Sequence, residues 1–547
     1  MSLFIPEDRN YINWVFKPNI DIKNFDPIKN KMLVNDIITT EGINYKSDYR
    51  KMQCIPGILV LDHNSYGREN NRILYKCIPN DNKLPIFLIP YTDKNITFSK
   101  KKINKYILFK FDNWESKHPK GIITNTLGNV DNLDIFCDYQ LYCKNIHYSI
   151  QKLNKISKFL INKFHDYENI YNKINSKYNI ENRETIEVIT IDPIETTDYD
   201  DAFSVKNLDN NKKIVSIYIS NVPIILDILD LWNNLSKRVS SIYLPNKKIS
   251  MLPNILSDNI CSLIENNKRF VLALDIHIKN NYIDKINFNV CSIIVKKNYE
   301  YEDDKLLNNV VYKNLLKVSQ DLNNERKYKE EIVDSHDVVE FYMIFMNHEI
   351  GKLLENNNIG IFRNVTCKKN NDKNISNEIN NVLDNVKGSY ELYNKGHQLI
   401  GNGVNAYAQI TSPIRRLVDI INMILFLTSL KLIQFNNNAY KFLDVWKENL
   451  IFINENIKKI KKVQNDCSLL SRCIYEKNNN CFNKYIGYII DITIKSDKYK
   501  NTIYIPYLKL ISYTLTDNKE ILYSQNNYTL HMFINENTLK RKIRLQN

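Results

Sequence analysis

Glycine is scarce in this chain, 12 in 547 residues, and proline is little commoner at 14. Asn, Lys and Ile fill the space, a skew that marks an AT-rich coding sequence. It does not mark disorder, because 43% of residues are apolar and 11% aromatic, enough to build buried cores. Ten cysteines occur without one C-x-x-C pair, which excludes a zinc ribbon and a thiol redox motif and leaves reduced, buried thiols as the expectation. No run approaches the ~18 uninterrupted apolar residues of a membrane-spanning helix. The opening MSLFIPEDRN has neither the basic nor the apolar segment of a secretory leader. An intracellular, cytoplasmic protein with no membrane partner is therefore expected. G-x-x-x-x-G-K-[ST] is missing too, so no ATP-driven unwinding is encoded. Acidic residues are in deficit, 61 against 75 basic, a net charge of +14. Such a surplus favours polyanions, since Lys and Arg that pair with phosphates release condensed counterions.

The length implies roughly two to four domains. Residues 1–50 read as an arm of unclear structure. Over residues 51–150 short β-like runs such as GILVLDH, RILYKCI and KYILFKF alternate with polar clusters, the pattern of a small barrel or sandwich. Residues 151–180 show helical periodicity in a basic setting and suit a linker helix. Residues 181–480 mix strands with long helices, and residues 481–547 return to β character in a stretch short for a complete barrel. The expected fold class is α+β and multidomain, with a mixed α/β centre between β-rich flanks. The lysine-rich FSKKKINKY, Phe98 to Tyr106, reads first as a solvated face and second as part of a nucleic-acid-binding one.

The stretch ITIDPIETTDYDDAFSV, Ile189 to Val205, gathers Asp192, Asp198, Asp200 and Asp201 within ten positions. Four carboxylates so close repel one another unless a divalent cation neutralises them, the arrangement behind Mg2+ sites and metal-assisted phosphodiester chemistry. In an extended segment Asp198 and Asp200 share one side and Asp201 takes the other, so joint action needs a curled loop. A calcium-binding EF-hand loop is excluded, because Phe203 and Asp209 stand where its Gly and Glu would be. A solvated acidic turn stays open. About 210 residues later comes YAQITSPIRRLVDIINMILF, Tyr407 to Phe426. Here Ser412 reads as an N-cap and Pro413 as the first helical residue. Arg415 and Arg416 then fall in the first turn, where cations oppose the helix dipole and call for an anion such as phosphate. A surface arginine pair is the alternative.

Together these segments resemble the ribonuclease II / ribonuclease R family, whose RNB domain carries T-I-D-P-x-x-x-x-D-x-D-D-A and, later, T-S-P-I-R-R-x-x-D. They stand here at Thr190 to Ala202 and Thr411 to Asp419, and SSIYLPNKKISMLPNILSDNICSLIENNKRFVLAL between them is similar to the same family. The resemblance covers roughly residues 180–475. It implies a central RNB catalytic domain flanked by OB, cold-shock-like barrels, with residues 481–547 a degenerate C-terminal one. It also implies a processive 3′-to-5′ exoribonuclease that releases nucleoside 5′-monophosphates from single-stranded RNA. The implied cofactor is Mg2+, as one ion or two, with Mn2+ able to substitute.

By that resemblance Asp192, Asp198, Asp200 and Asp201 form the metal cluster. Asp200 is essential to catalysis, Asp198 also holds the terminal nucleotide, and Arg415 stabilises charge on the scissile phosphate. Tyr243, Tyr301 (or its neighbour Tyr299) and Arg416 would contact RNA. The chain departs from the family with Tyr218 and Asn221 in YISNV, where H-I-A-D-V is usual, and with Leu417, Met423 and Ile424 after SPIRR. These mark a divergent member and keep a second reading open, an RNA-binding protein that retains the RNB fold with little or no catalysis. A basic nucleoprotein component would explain none of the ordered motifs.

Overall fold

The computed structural model of the protein describes residues 1–19, 25–92, 102–208, 212–365, 388–393, 406–478, 483–495, 497–508, 510–535 and 539–546. The first four residues of the FSKKKINKY run lie outside them. The chain divides into two compact units. One holds Met1–His147, Leu244–Lys247 and Lys459–Asn547; the other holds Tyr148–Tyr243 and Lys248–Lys458.

In the first unit, residues 1–50 form a folded sheet rather than an arm. Strands Ser2–Pro6, Trp14–Lys17, Ile37–Thr39 and Gly42–Asn44 pair in the order second, first, third, fourth. Alternation in Ser2–Pro6 buries Phe4, which shares one apolar core with Phe16, Met32 and Leu33 and with Leu59, Phe87 and Phe109 of the following barrel. Strands of three to five residues between polar loops leave too little periodicity to be read from sequence. The barrel consists of Ile55–Val60, Arg72–Pro79, Phe87–Tyr91, Lys105–Phe111 and Gly121–Asn129. Its first strand pairs with the second and fourth, the second with the third, and the fourth with the fifth. A parallel bridge from Leu88 to Lys120 brings the third strand to the fifth. That is the strand order of an OB barrel. One of the few glycines is placed by it: a Cβ on Gly57 would meet Cys77 Sγ at 2.8 Å.

The C-terminal segment, expected as a degenerate barrel, forms a five-stranded sheet that is open among the described residues. Tyr485–Lys495, Lys498–Ile505, Leu510–Thr516, Gln525–Ile534 and Arg541–Gln546 supply all five strands. The first pairs with the second and fourth, the second with the third, and the fourth with the fifth. No ladder joins the third strand to the fifth among the described residues. Connections as short as the one from Lys495 to Lys498 let five strands fit a stretch that looked too short.

The second unit opens with two helices where one linker helix was expected, Gln151–Lys163 and Tyr167–Lys177. Asp166 separates them by capping the second, accepting from Asn169 N–H at 2.8 Å. The unit is built on a closed ring of five strands, Val188–Asp192, Asp201–Leu208, Lys212–Ser220, Lys268–Lys279 and Tyr282–Glu300. The 19-residue strand Tyr282–Glu300 closes it, running antiparallel to Lys268–Lys279 and parallel to Val188–Asp192. Val188, Ala202, Tyr218, Val271, Ala273 and Cys291 fill its interior. Outside the ring lie the helices Ser335–Asn356 and Leu417–Ser429. A Cβ on Gly351 would stand 2.7 Å from the Ala406 carbonyl, so glycine permits the Ala406–Ala408 segment to run directly against the first of these helices. No helix among the described residues is long and apolar enough to cross a membrane.

Candidate functional site

The acidic stretch turns back on itself between two neighbouring strands of the ring. Asp192 ends Val188–Asp192 and Asp201 begins Asp201–Leu208. The connection is curled by Thr196, which donates from N–H and Oγ1 to the Pro193 carbonyl at 3.2 and 2.7 Å. It is pinned through Ser262, which donates to the Thr197 carbonyl at 2.8 Å and accepts from Tyr199 N–H at 3.0 Å. The curl overrides the alternation of an extended strand, so all four aspartates line one cavity of about 780 Å3, together with Tyr243, Tyr301, Arg415 and Arg416. The structure brings every residue expected at the site to this cavity.

Their engagements differ. Asp200, 2% exposed, accepts from Ile414 N–H through Oδ1 and from Arg415 Nε through Oδ2, both at 2.9 Å. Asp198 Oδ1 is paired at 2.9 Å with Lys248 Nζ. Asp192 Oδ2, Asp198 Oδ2 and Asp201 Oδ2 are buried without a hydrogen-bond partner. Burial pushes the Asp200 carboxyl up to about 7, against the opposing pull of Arg415 and the Ile414 N–H. Burial also raises Asp192 and Asp201, with repulsion from Asp201 adding to the shift at Asp192. In all three the largest cause is burial, which strips water from the ionised form.

The arginine segment is built otherwise than its sequence predicts. The helix begins at Leu417, and Ser412–Arg416 form a turn in which Arg415 and Arg416 N–H both donate to the Ser412 carbonyl. An isolated bridge between Ser240 and Arg416, with Ser241 N–H donating to the Arg415 carbonyl and Leu417 N–H to that of Val239, holds Arg416 extended after the turn and delays the helix. Ser412 does not cap the helix, whose N-cap position is Arg416 with no side-chain cap bond; instead Asp419, fully buried in the first helical turn, braces the turn, its Oδ1 accepting from Ser412 N–H and Arg416 Nη2, each at 2.8 Å. Arg416 is thereby tied to Asp419, and Arg415 to the acidic loop.

Tyr243 is 42% exposed at the cavity, while Tyr301 lies flat on His336, ring centroids 3.7 Å apart. Sequence reasoning missed Lys248 and Asn347. Asn347 is buried on Ser335–Asn356 and holds the opposite wall through Tyr407 Oη, Thr411 Oγ1 and the Ile410 N–H. The signal for it was an amide directly after the apolar run FYMIFM, at the first polar position. The departures from the family pattern turn out to be packing positions. Tyr218 bonds Ser204 Oγ inside the ring, Asn221 caps the helix Val222–Ile228, and Leu417, Met423 and Ile424 are buried. None of the five lines the cavity.

Oxygen donors of this kind suit a hard cation such as Mg2+, and three unpartnered carboxylate oxygens fit one. Among the described residues, however, no group of three or more His, Cys, Asp or Glu side chains stands ready-made as a metal cage.

Comparison with known proteins places these observations. The RNB domain family matches residues 180–330, and the Dis3-like cold-shock domain 2 (CSD2) family matches residues 74–139. Over 210 residues the chain is 27% identical to DIS3-like exonuclease 2 of Schizosaccharomyces pombe, a match taking in 36% of this chain and 22% of that protein. The chain thus spans well under two thirds of that relative's length. In fold it is similar to Mycoplasma genitalium RNase R in complex with ribose methylated single-stranded RNA, with a TM-score of 0.67 at 15% identity over the whole of both chains. It is similar also to yeast Ssd1, a pseudonuclease, with a TM-score of 0.59 at 14% identity over 87% of this chain and 66% of that one. With an RNB domain matched over residues 180–330, a CSD2 match ahead of it and relatives of low identity, the chain carries an RNB domain and a Dis3-like cold-shock barrel and is similar to the ribonuclease II / ribonuclease R family at the low identity of a divergent relative.

Proposed function

We propose that this protein is a Mg2+-dependent 3′-to-5′ exoribonuclease that hydrolyses single-stranded RNA processively to nucleoside 5′-monophosphates. One observation carries the reading: Asp192 Oδ2, Asp198 Oδ2 and Asp201 Oδ2 are buried and unpartnered in a cavity that also presents Arg415. Such oxygens are costly to bury when ionised, and a divalent cation with a phosphate removes that cost. Asp192 and Asp201 would hold the metal, with Asp198 beside them. When bound, it polarises the phosphate and lowers the pKa of the attacking water. Asp200 has both oxygens engaged by the protein and acts by orienting Arg415. That preorganised cation meets charge developing on the scissile phosphate. Exposed Tyr243 stacks on a terminal base, and stacking tolerates any sequence because every base has a π face. RNA is distinguished from DNA by its 2′-OH.

A second reading, an RNA-binding protein of RNB fold without turnover, is favoured by the lack of a ready-made cage among the described residues. The packing roles of Tyr218, Asn221, Met423 and Ile424 speak against it, since these changes leave the cavity wall alone. The deciding experiment incubates 5′-labelled single-stranded RNA with the protein, with Mg2+ or with chelator. Metal-dependent shortening from the 3′ end is expected, and Asp201→Asn should bind the same RNA without shortening it. Tight binding by the parent with no shortening in Mg2+ establishes the second reading.

A further inference from the structure

The cavity holds a cation of its own that the family signatures do not name. Lys248 lies on the short strand Lys247–Ile249, and its ammonium has three acceptors: Asp198 Oδ1 and Thr197 Oγ1 at 2.9 Å, and Asp258 Oδ1 at 3.3 Å. An ammonium has three N–H donors, so all are used and the group is fixed. Asp258 is anchored in turn by Ser257 Oγ at 2.8 Å. Lys248 is mostly buried, its side chain 23% exposed, and the Asp198 side chain only 8%.

These pairings sort the four aspartates. Asp192, Asp198, Asp200 and Asp201 bring four negative charges. Arg415 answers one through Asp200, and Lys248 answers another through Asp198. Arg416 is balanced separately by Asp419. Of the four aspartates, Asp192 and Asp201 are left without an ion pair of their own; Lys248 also meets Asp258, and Glu195 and Glu340 add carboxylates elsewhere in the lining. Asp201 is 8% exposed with Oδ2 unpartnered, and Asp192 Oδ2 is likewise unpartnered. A second ion near Asp198 would have to share its carboxylate with an ammonium already in hydrogen-bond contact, against the repulsion of two like charges.

We propose that Lys248 is a fixed cation standing where a second metal ion would, so that this site takes a single divalent cation. The proposal rests on the metal-dependent reading above, and it makes Lys248 a positioning residue that holds Asp198 in place of a metal.

The test counts ions bound to the full-length protein, using Mn2+ as the probe and the loss of its free six-line electron paramagnetic resonance signal as the readout. The parent should bind one Mn2+ per chain in the cavity, a site abolished by Asp201→Asn. Lys248→Met should bind two, and Lys248→Arg, which keeps the charge, should bind one. In nuclease assays the metal dependence should change from a Hill coefficient of one in the parent to one approaching two in Lys248→Met. Two ions in the parent, or one in a folded Lys248→Met, overturns the proposal while leaving a metal-dependent nuclease intact. No Mn2+ bound to the parent at all removes the metal-dependent reading and this proposal with it. The parent count decides the matter even if Lys248→Met does not fold.

Discussion

At the scale of single residues, Arg415 and His348 show how far context sets a side chain's task. Arg415 donates Nε to a buried carboxylate, a bond that a lysine ammonium cannot reproduce with the same planar fork. Arg415→Lys should therefore keep RNA affinity nearly unchanged while kcat falls by ~10^2-fold, the size of loss seen when one preorganised donor is removed. Single-turnover cleavage beside equilibrium binding measures this. Collapsed binding with normal turnover per bound complex would make Arg415 a docking residue.

His348 is a structural counterpart, 8% exposed on the helix Ser335–Asn356 with Nδ1 2.5 Å from Tyr328 Oη. Burial pushes its imidazole down to about 4; nearby Lys352 and Arg326 act in the same direction and Glu349 against them. The unfolded chain, with its histidine near 6.5, binds the extra proton first, so stability is full above about 6.5 and is lost as pH falls towards 4. The loss is at most about 3 kcal/mol from this group. Urea midpoints of the parent should fall through that window, and those of His348→Gln should fall less. Parallel curves would remove His348 from the account.

At the scale of elements, the strand Ile242–Leu244 turns a tyrosine into a candidate clamp. Its burial alternates, with Ile242 and Leu244 inward and Tyr243 outward. Stacking of a base on such a ring is worth about 1–3 kcal/mol, enough to change dissociation of a short product by roughly ten- to a hundredfold. Tyr243→Ala should remain an active nuclease but leave a residual oligonucleotide of altered length, and Tyr243→Phe should match the parent. The measurement is the limit product from 5′-labelled oligoadenylate on a sequencing gel. Identical limit products from parent and alanine variant would return Tyr243 to a packing role. The segment Ser412–Arg416 carries the lesson about reading elements. Ser-Pro reads locally as a helix start, yet the segment makes one turn and then bonds to Val239–Ser241, some 175 residues earlier, hold Arg416 extended so that the helix starts only at Leu417.

At the scale of the whole molecule, the net charge of +14 sets how RNA affinity should respond to salt. A protein that neutralises phosphates of a single strand shows log K falling linearly with log salt, by ~0.7 for each phosphate contacted. Filter binding of single-stranded RNA by Asp201→Asn across a salt series should give such a line. A flat response would mean that the basic surplus does not meet the RNA.

The acidic signature, the S-P-I-R-R motif and the positive balance were legible in the residues alone, because chemistry-bearing residues at close spacing leave a mark that no fold can erase. The same holds for the β, α/β, β order of the chain, which follows from local periodicity. Contacts between distant residues decided the rest. The short strands of residues 1–50 form a sheet because their apolar side chains share a core with the barrel that follows, and the C-terminal five strands were hidden by connections too short to be counted from composition. Lys248 looked like one lysine in a chain with 75 basic residues. Only the fold brings it 50 positions back to Asp198, and the strength of a charge interaction depends on that distance and burial rather than on separation along the chain.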